Sequence, residues 1–338
     1  MSTFKAVIVG AGAMGQAWGS NLKSISNQVE IGGWVDIRPD AAASAADKIG
    51  ISAYTGSDLE KAIAEVKPDF VVDVTIPESH KEVTLTSLKA GVPVLGEKPM
   101  AASMAEAREM VAASEKSDKL YMVSQSRRYD KNLSAYRSLI EKVGPLGILN
   151  SDFYIGAHFG GFRDEMASPL ILDMAIHTFD AARYLCNGDP VAVYCEEFNP
   201  PWSWYSGDVS ATAIFEMVGG LRYTYRGSWC SEGQATSWEA EWRAVGAKGT
   251  ATWDGVGDHP PTAELVSGEE GFIRAITPLT AEVVEEPSGI AGSIQDFLNA
   301  LKTGATPMGE CHDNIKSLAM VFAAIESSET RQRIPVAL

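Results

Sequence analysis

Long apolar runs are missing from this chain of 338 residues. The run nearest the amino terminus, Ala6-Val7-Ile8-Val9, stops at Gly10, and no stretch approaches the roughly 20 apolar residues that a membrane helix needs. Such a run is also too short for the core of a secretory signal, so a soluble, cytoplasmic protein with no membrane partner is expected. Cysteine is equally scarce. Cys186, Cys195, Cys230 and Cys311 lie far apart with no C-x-x-C pair, which argues against a disulfide framework or a zinc site and suits free thiols packed in a reducing compartment. No metal site is expected. Positive charge is in the minority too: 28 Lys and Arg face 44 Asp and Glu, a formal net charge of -16. With no long basic block to offset it, that charge repels nucleic acid and anionic lipid and argues against polyanionic partners.

Hydrophobic residues make up 45% of the chain, an ordinary share for a globular protein, and the length exceeds one typical domain, so two domains are expected. β-like runs at 4–9, 29–35, 70–76, 92–95 and 120–124 alternate with helix-like segments. One of these helices carries its own start signal, because Ser103-Met104-Ala105-Glu106 is a capping box. Alternation of this kind predicts right-handed βαβ crossovers and a parallel sheet with helices on both faces. After about Arg128 the pattern changes. β-rich runs at 191–198, 211–217, 221–229, 238–245 and 249–253, several joined by glycine-containing turns, predict antiparallel strands. One strong helix is expected at 169–185 and two more near 294–302 and 314–328. The chain is thus read as α/β: residues 1–126 form a parallel-sheet domain and residues 127–338 an α+β domain.

Gly10-Ala11-Gly12-Ala13-Met14-Gly15 follows the first strand and opens the first helix. In that context Gly10 permits the tight turn, Gly12 lets backbone approach a pyrophosphate, and Gly15 permits close helix–strand packing, the fingerprint of a Rossmann dinucleotide site. Amide groups and the positive helix end then meet the phosphate charge, which lets an acidic protein hold a dianion. Asp36, about 20 residues further on at the end of the second strand, is placed to accept hydrogen bonds from the adenosine ribose and favours NAD. Arg38 suits a 2′-phosphate and keeps NADP open. In Thr75-Ile76-Pro77-Glu78-Ser79-His80, Pro77 fixes the turn past another strand, and His80 either touches the cofactor or contacts only backbone and solvent. Glu97-Lys98-Pro99 ends the run at 92–95, so the Lys98 ammonium is aimed at whatever the glycine loop holds.

A second constellation lies in the helix expected at 169–185. Spacings of four, three and seven put Asp173, His177 and Asp180 on one stripe, where a carboxylate can orient the imidazole and favour its protonated form. Histidine is the usual general base near neutral pH, and such a pair suits alcohol oxidation. Arg127 and Arg128 either reach a substrate or the nicotinamide edge or form an interdomain salt bridge. Trp202, Trp204, Trp229, Trp238 and Trp242 either stack on sugar faces or fill a core or interface. His158 and Arg163, in the glycine-containing stretch 156–163, either line a pocket or sit on a mobile loop. His259 and His312 have no partner legible in the sequence.

The glycine loop, the turn from Thr75 to His80, Glu97-Lys98-Pro99, Gln125-Ser126-Arg127-Arg128-Tyr129 and Asp173-x-x-x-His177-x-x-Asp180 together resemble the Gfo/Idh/MocA oxidoreductases, in order and spacing over most of the chain. That resemblance implies a Rossmann domain followed by a domain whose large open, mainly antiparallel sheet forms an oligomer interface, hence a homodimer or homotetramer. It also implies hydride transfer between NAD(P) and a secondary alcohol carbon of a sugar, inositol or polyol. Lys98, Asp173 and His177 take the catalytic, substrate-facing positions, Ala13, Met14, Thr75, Pro77, His80, Glu97 and Lys98 line the cofactor with the residues above, and Arg128 and His158 add substrate contacts. Ala175 departs from the glycine that many members carry between that Asp and His, which narrows the pocket slightly. The same resemblance covers NAD-dependent enzymes that cleave glycosides and a noncatalytic dinucleotide-sensing repressor. The repressor class is expected to lose the lysine or histidine that this chain retains.

Overall fold

A computed structural model describes residues 3–338. The chain opens as an alternating series: β1 (Phe4–Val9), α1 (Ala13–Ser24), β2 (Val29–Val35), α2 (Pro39–Ile49), β3 (Tyr54–Gly56), α3 (Leu59–Val66), β4 (Phe70–Asp73), α4 (Pro77–Lys89), β5 (Val94–Glu97), α5 (Met104–Ser117) and β6 (Tyr121–Ser124). The six strands form one parallel sheet in the order β3-β2-β1-β4-β5-β6. Its central strands are apolar on both faces, as helices on each side require: Val71, Val72, Val94 and Leu95 are fully buried. Local signals set the helix starts. Pro39 and Pro77 occupy first-turn positions of α2 and α4, and Ser103 caps α5 by accepting from the Glu106 amide at 3.2 Å. β4 ends earlier than the expected 70–76 because the Asp73 carboxylate captures the Thr75 amide and hydroxyl at 3.1 and 2.6 Å, turning the chain into α4.

The second half runs α6 (Lys131–Lys142), β7 (Leu146–Tyr154), a π-helical turn (Leu170–Ala175), α7 (Ile176–Cys186), β8 (Pro190–Phe198), β9 (Ser210–Met217), β10 (Arg222–Ser228), β11 (Glu241–Gly246), β12 (Gly249–Trp253), β13 (Thr262–Val266) and β14 (Ile276–Thr280). It closes with α8 (Gly289–Thr303), α9 (Cys311–Thr330) and β15 (Ile334–Pro335). Nine strands form one sheet in the order β14-β13-β12-β11-β7-β10-β9-β8-β15. Every pairing in it is antiparallel except β7 with β10. The exception follows from connectivity. Helix α7 carries the chain from β7 to β8 in the same sense, as a crossover does, and the β8-β9-β10 meander returns β10 beside β7 with that sense kept. The buried face of the sheet packs on α7 through Phe179, whose ring meets Phe215 and Tyr225 edge-on at 4.8 and 5.3 Å. Among the described residues no helix is long and apolar enough to cross a membrane.

The chain divides into two compact units, but not along one cut. The first ends at Ser126 and takes in Pro287–Ile315; the second comprises Arg127–Glu286 with Lys316–Leu338. Residues 287–315 therefore do not belong with the rest of the carboxyl-terminal half, as a division at 127–338 expects. Their attachment is physical: the Phe297 ring on α8 meets Phe70 of β4 at 5.3 Å, and the Gly309 carbonyl accepts from the Val123 amide of β6 at 2.8 Å.

Candidate active site

In the first unit the turns at the carboxyl ends of β1, β2, β4 and β5 come together where strand order reverses between β1 and β4, the place at which ligands bind in open α/β sheets. Gly10 has φ +102°, and a Cβ there would lie 2.4 Å from the Val74 carbonyl oxygen. Only glycine fits. A Cβ on Gly15 would lie 2.1 Å from the Gly10 carbonyl oxygen, so this glycine answers to the loop's own backbone more than to the sheet. Gly12 is different: a side chain there would meet nothing within 4 Å, which leaves open room before the first turn of α1. That turn carries no acidic residue and offers unopposed amide groups to an anion.

Asp36 is locked beside the loop. Its Oδ2 accepts from the Ala11 amide at 2.8 Å, and its Oδ1 accepts from the Arg38 amide at 2.9 Å and from Arg38 Nε at 3.4 Å. Burial alone would raise its pKa, but these backbone and guanidinium contacts outweigh it and hold the carboxyl below the ordinary range. A carboxylate has about four lone-pair sites, so one remains for a ribose hydroxyl. Ala13 and Met14 face solvent beside it, and Thr75 and Pro77 sit at the β4 turn. Lys98 is half-buried immediately after β5.

Glu97 and His80 are turned into the scaffold. Glu97 is buried, accepting from Trp18 Nε1 of α1 at 2.7 Å and from the Lys98 amide at 2.9 Å. Burial pushes its carboxyl up, against the pull of these donors. His80 is 2% exposed, with Nδ1 at 2.8 Å from the Pro99 carbonyl and Nε2 at 3.3 Å from the Thr75 carbonyl. The backbone contacts considered for His80 from sequence are present.

In the second unit the expected single helix begins as a π-helical turn, and the carboxylates of the stripe part company. Asp173 lies in the wide turn, where Oδ2 accepts from Arg163 Nε at 2.6 Å. π turns of this kind recur at functional sites because they re-aim a side chain. Asp180 points inward at 1% exposure: Arg128 grips it through Nε and Nη2, both at 2.7 Å, and the Ser317 hydroxyl donates at 2.6 Å. Arg128 is thereby buried in a bidentate pair with Asp180. Arg127 pairs with Glu239 at 3.2 Å. Both pairs lie within the second unit, so neither is the interdomain bridge considered from sequence. His177 is half-buried at the start of α7.

Around Arg163 the structure adds residues that the sequence did not single out. The guanidinium lies over the rings of Phe159 and Phe162, at 5.1 and 4.7 Å. His158 stacks on Trp204 at 3.8 Å and meets Glu232 at 2.7 Å. The signal for this cluster was two phenylalanines in a glycine-rich loop. Of the tryptophans, Trp229 and Trp242 are core residues while Trp202 is 70% exposed. His259 and His312 have carboxylate partners in Asp254 and in Glu115 and Glu310.

The model of the oxidoreductase family with an NAD-binding Rossmann fold matches residues 4–125, and the GFO/IDH/MocA C-terminal domain matches residues 150–252. A myo-inositol 2-dehydrogenase of Thermotoga maritima is 23% identical over 97% of each chain. An inositol 2-dehydrogenase of Corynebacterium glutamicum is 33% identical over 55% of each. Among solved structures, an oxidoreductase from Agrobacterium radiobacter, in complex with NAD+, L-tartaric acid and magnesium, superposes with a TM-score of 0.86 at 22% identity and covers 99% of each chain. The residues at the first unit's switch point fit the dinucleotide: open space at Gly12, unopposed amides at α1, and an ionised carboxylate at Asp36. The chain belongs to the Gfo/Idh/MocA family of NAD-binding oxidoreductases.

Proposed function

We propose that the protein is an NAD-dependent dehydrogenase acting on a secondary alcohol of a sugar, inositol or polyol. The observation that carries this reading is Lys98, a half-buried cation at the end of β5 in the unit whose glycine loop and Asp36 suit NAD. The inositol dehydrogenase relatives support the substrate class.

When bound, the nicotinamide supplies the hydride acceptor. His177 takes the hydroxyl proton, Asp173 orients the imidazole or holds a neighbouring hydroxyl, and Arg163 fixes Asp173 through its 2.6 Å contact. Lys98 stabilises the oxygen on which negative charge develops; by analogy with an oxyanion donor this is worth about 2.7–4 kcal/mol at the transition state. His158 borders the substrate. NAD is favoured over NADP because the Asp36 carboxylate, held ionised, repels a 2′-phosphate, and the Arg38 guanidinium is partly engaged by Asp36. A second copy of the chain is proposed to cover the outer face of the large sheet, where Ile148, Tyr194 and Ile214 are exposed.

The test is a panel of sugars, inositols and polyols offered with NAD and with NADP, following absorbance of the reduced cofactor. Reduction of NAD by at least one member is expected. No reduction with any, together with release of an aglycone from glycosides, overturns the dehydrogenase reading in favour of transient-oxidation hydrolysis.

A further inference from the structure

His80 has no part in the chemistry proposed above, yet it is almost completely buried between two carbonyl oxygens; a neutral imidazole has one N–H to donate, so the shorter contact, Nδ1 to Pro99 at 2.8 Å, is taken as the hydrogen bond and Nε2 packs 3.3 Å from Thr75. Those carbonyls belong to different turns. Thr75 lies in the turn after β4 and Pro99 in the turn after β5, and the two strands are neighbours, with Val71 beside Val94. Each turn is also held by a carboxylate. Asp73 holds the Thr75 amide and hydroxyl, and Glu97 holds the Lys98 amide while reaching Trp18 of α1. The backbone at Lys98 is therefore bracketed: a carboxylate grips the amide at its start, and an imidazole grips the carbonyl of the next residue.

The geometry points to His80 as a positioning residue, a clip across the β4 and β5 turns that fixes the main chain from which the Lys98 ammonium reaches the reacting oxygen. The inference rests on the role proposed for Lys98. The His80 side chain hydrogen-bonds neither the glycine loop nor Asp36, so its loss is expected to weigh more on turnover than on cofactor affinity. Placement matters at that level, because an error of about 1 Å in a reacting group costs on the order of 10²-fold in rate.

The test compares three substitutions. His80→Leu removes both contacts and is expected to lower kcat about 10²-fold while KM for NAD stays within about threefold, the split that marks loss of transition-state stabilisation. His80→Asn keeps an N–H near the Nδ1 position facing Pro99, and is expected to recover kcat to within about tenfold of the wild type. His80→Gln keeps a donor near Nε2, facing Thr75, and is expected to stay low. If His80→Leu does not fold, the Asn and Gln variants carry the comparison. Equal turnover in those two, or a raised KM for NAD at unchanged kcat, overturns the clip; the latter outcome makes His80 a cofactor contact. Lys98→Ala is measured alongside. If it retains turnover, the reading of the active site fails whatever His80 shows, whereas loss there with normal turnover in His80→Leu sinks only the clip.

Discussion

The two units place their candidate residues by different means. In the first, backbone does the placing: Asp36 is gripped by the amides of Ala11 and Arg38, Gly10 and Gly15 sit where a Cβ would strike a carbonyl, and His80 spans two carbonyls. In the second, side chains hold one another, with Asp173 on Arg163, Asp180 on Arg128 and His158 on Trp204 and Glu232. Backbone-set sites admit few residue types and tolerate little change. Side-chain sites depend on charge and packing, and can be titrated or truncated one pair at a time.

The sharpest test of that contrast is also the largest expected effect. Lys98→Ala should fold and bind NAD nearly normally, since the Lys98 amide that Glu97 grips is kept. Its kcat should fall by about 10²–10³, measured at saturating NAD, in line with the loss of one oxyanion donor. Retained turnover would break the assignment. In the second unit the counterpart is a stability effect. Arg128→Ala leaves Asp180 buried at 1% exposure with only the Ser317 hydroxyl from its present partners. Stripping one partner from a buried pair costs about 3–5 kcal/mol, read from urea unfolding. Arg128→Met with Asp180→Leu should cost less than Arg128→Ala, because no charge is then stranded; a larger cost would mean that the pair does more than neutralise itself.

The same contrast explains what the sequence could tell. Gly10, Gly12, Gly15 and Asp36 were legible because a tight turn, an open approach and a ribose acceptor each demand a residue type at a fixed spacing. The parallel sheet was legible from alternation. His80 was legible only as ambiguous, since its partners are carbonyls at Thr75 and Pro99, and a carbonyl has no residue identity. The hydrogen bond from Trp18 to the Glu97 carboxylate was not legible, because the two lie 79 residues apart. Spacing put Asp173, His177 and Asp180 on one stripe by assuming an α-helix throughout, and the π turn at Leu170–Ala175 breaks that premise. The parallel β7–β10 pair and the return of residues 287–315 to the first unit are consequences of connectivity, which periodicity does not encode.

A smaller effect is expected at Asp36. Asp36→Asn removes the charge that disfavours a 2′-phosphate and weakens the ribose acceptor, so KM for NAD should rise about tenfold and the preference for NAD over NADP should shrink, each tenfold step being about 1.4 kcal/mol. There is a pH signature as well. Because the folded-state pKa is depressed, the carboxylate's contribution to stability is present above the unfolded value of about 3.9 and is lost as pH falls through the folded value. The Asn variant should therefore lose less stability than the wild type during acid unfolding below about pH 4. Acid sensitivity identical to that of the wild type would show that the Ala11 and Arg38 contacts do not bias this carboxyl.

The smallest effect probes the second unit's reliance on side-chain charge. Glu197 on β8 accepts from the Ser168 hydroxyl at 3.2 Å, next to the segment that leads into the π turn, and borders a cavity of about 330 Å³ that Asp208 and Glu329 also line. Burial first, and then the charges of Asp208 and Glu329, push its carboxyl up to about 8. The sign follows from the direction of the shift. A carboxyl raised in the folded state lends its full stability below the unfolded value of about 4.3, and that contribution drains away as pH rises toward the folded value. Glu197→Gln removes the titration while an amide oxygen remains to accept from Ser168. Melting temperatures should therefore be close at pH 4.5 and higher for the variant at pH 9, and the gain should grow across the interval rather than appear at once. An equal gain at both pH values would mean that Gln improves packing, and a loss at pH 9 would mean that the ionised carboxylate has a cationic partner, for which Arg331 also lines the cavity.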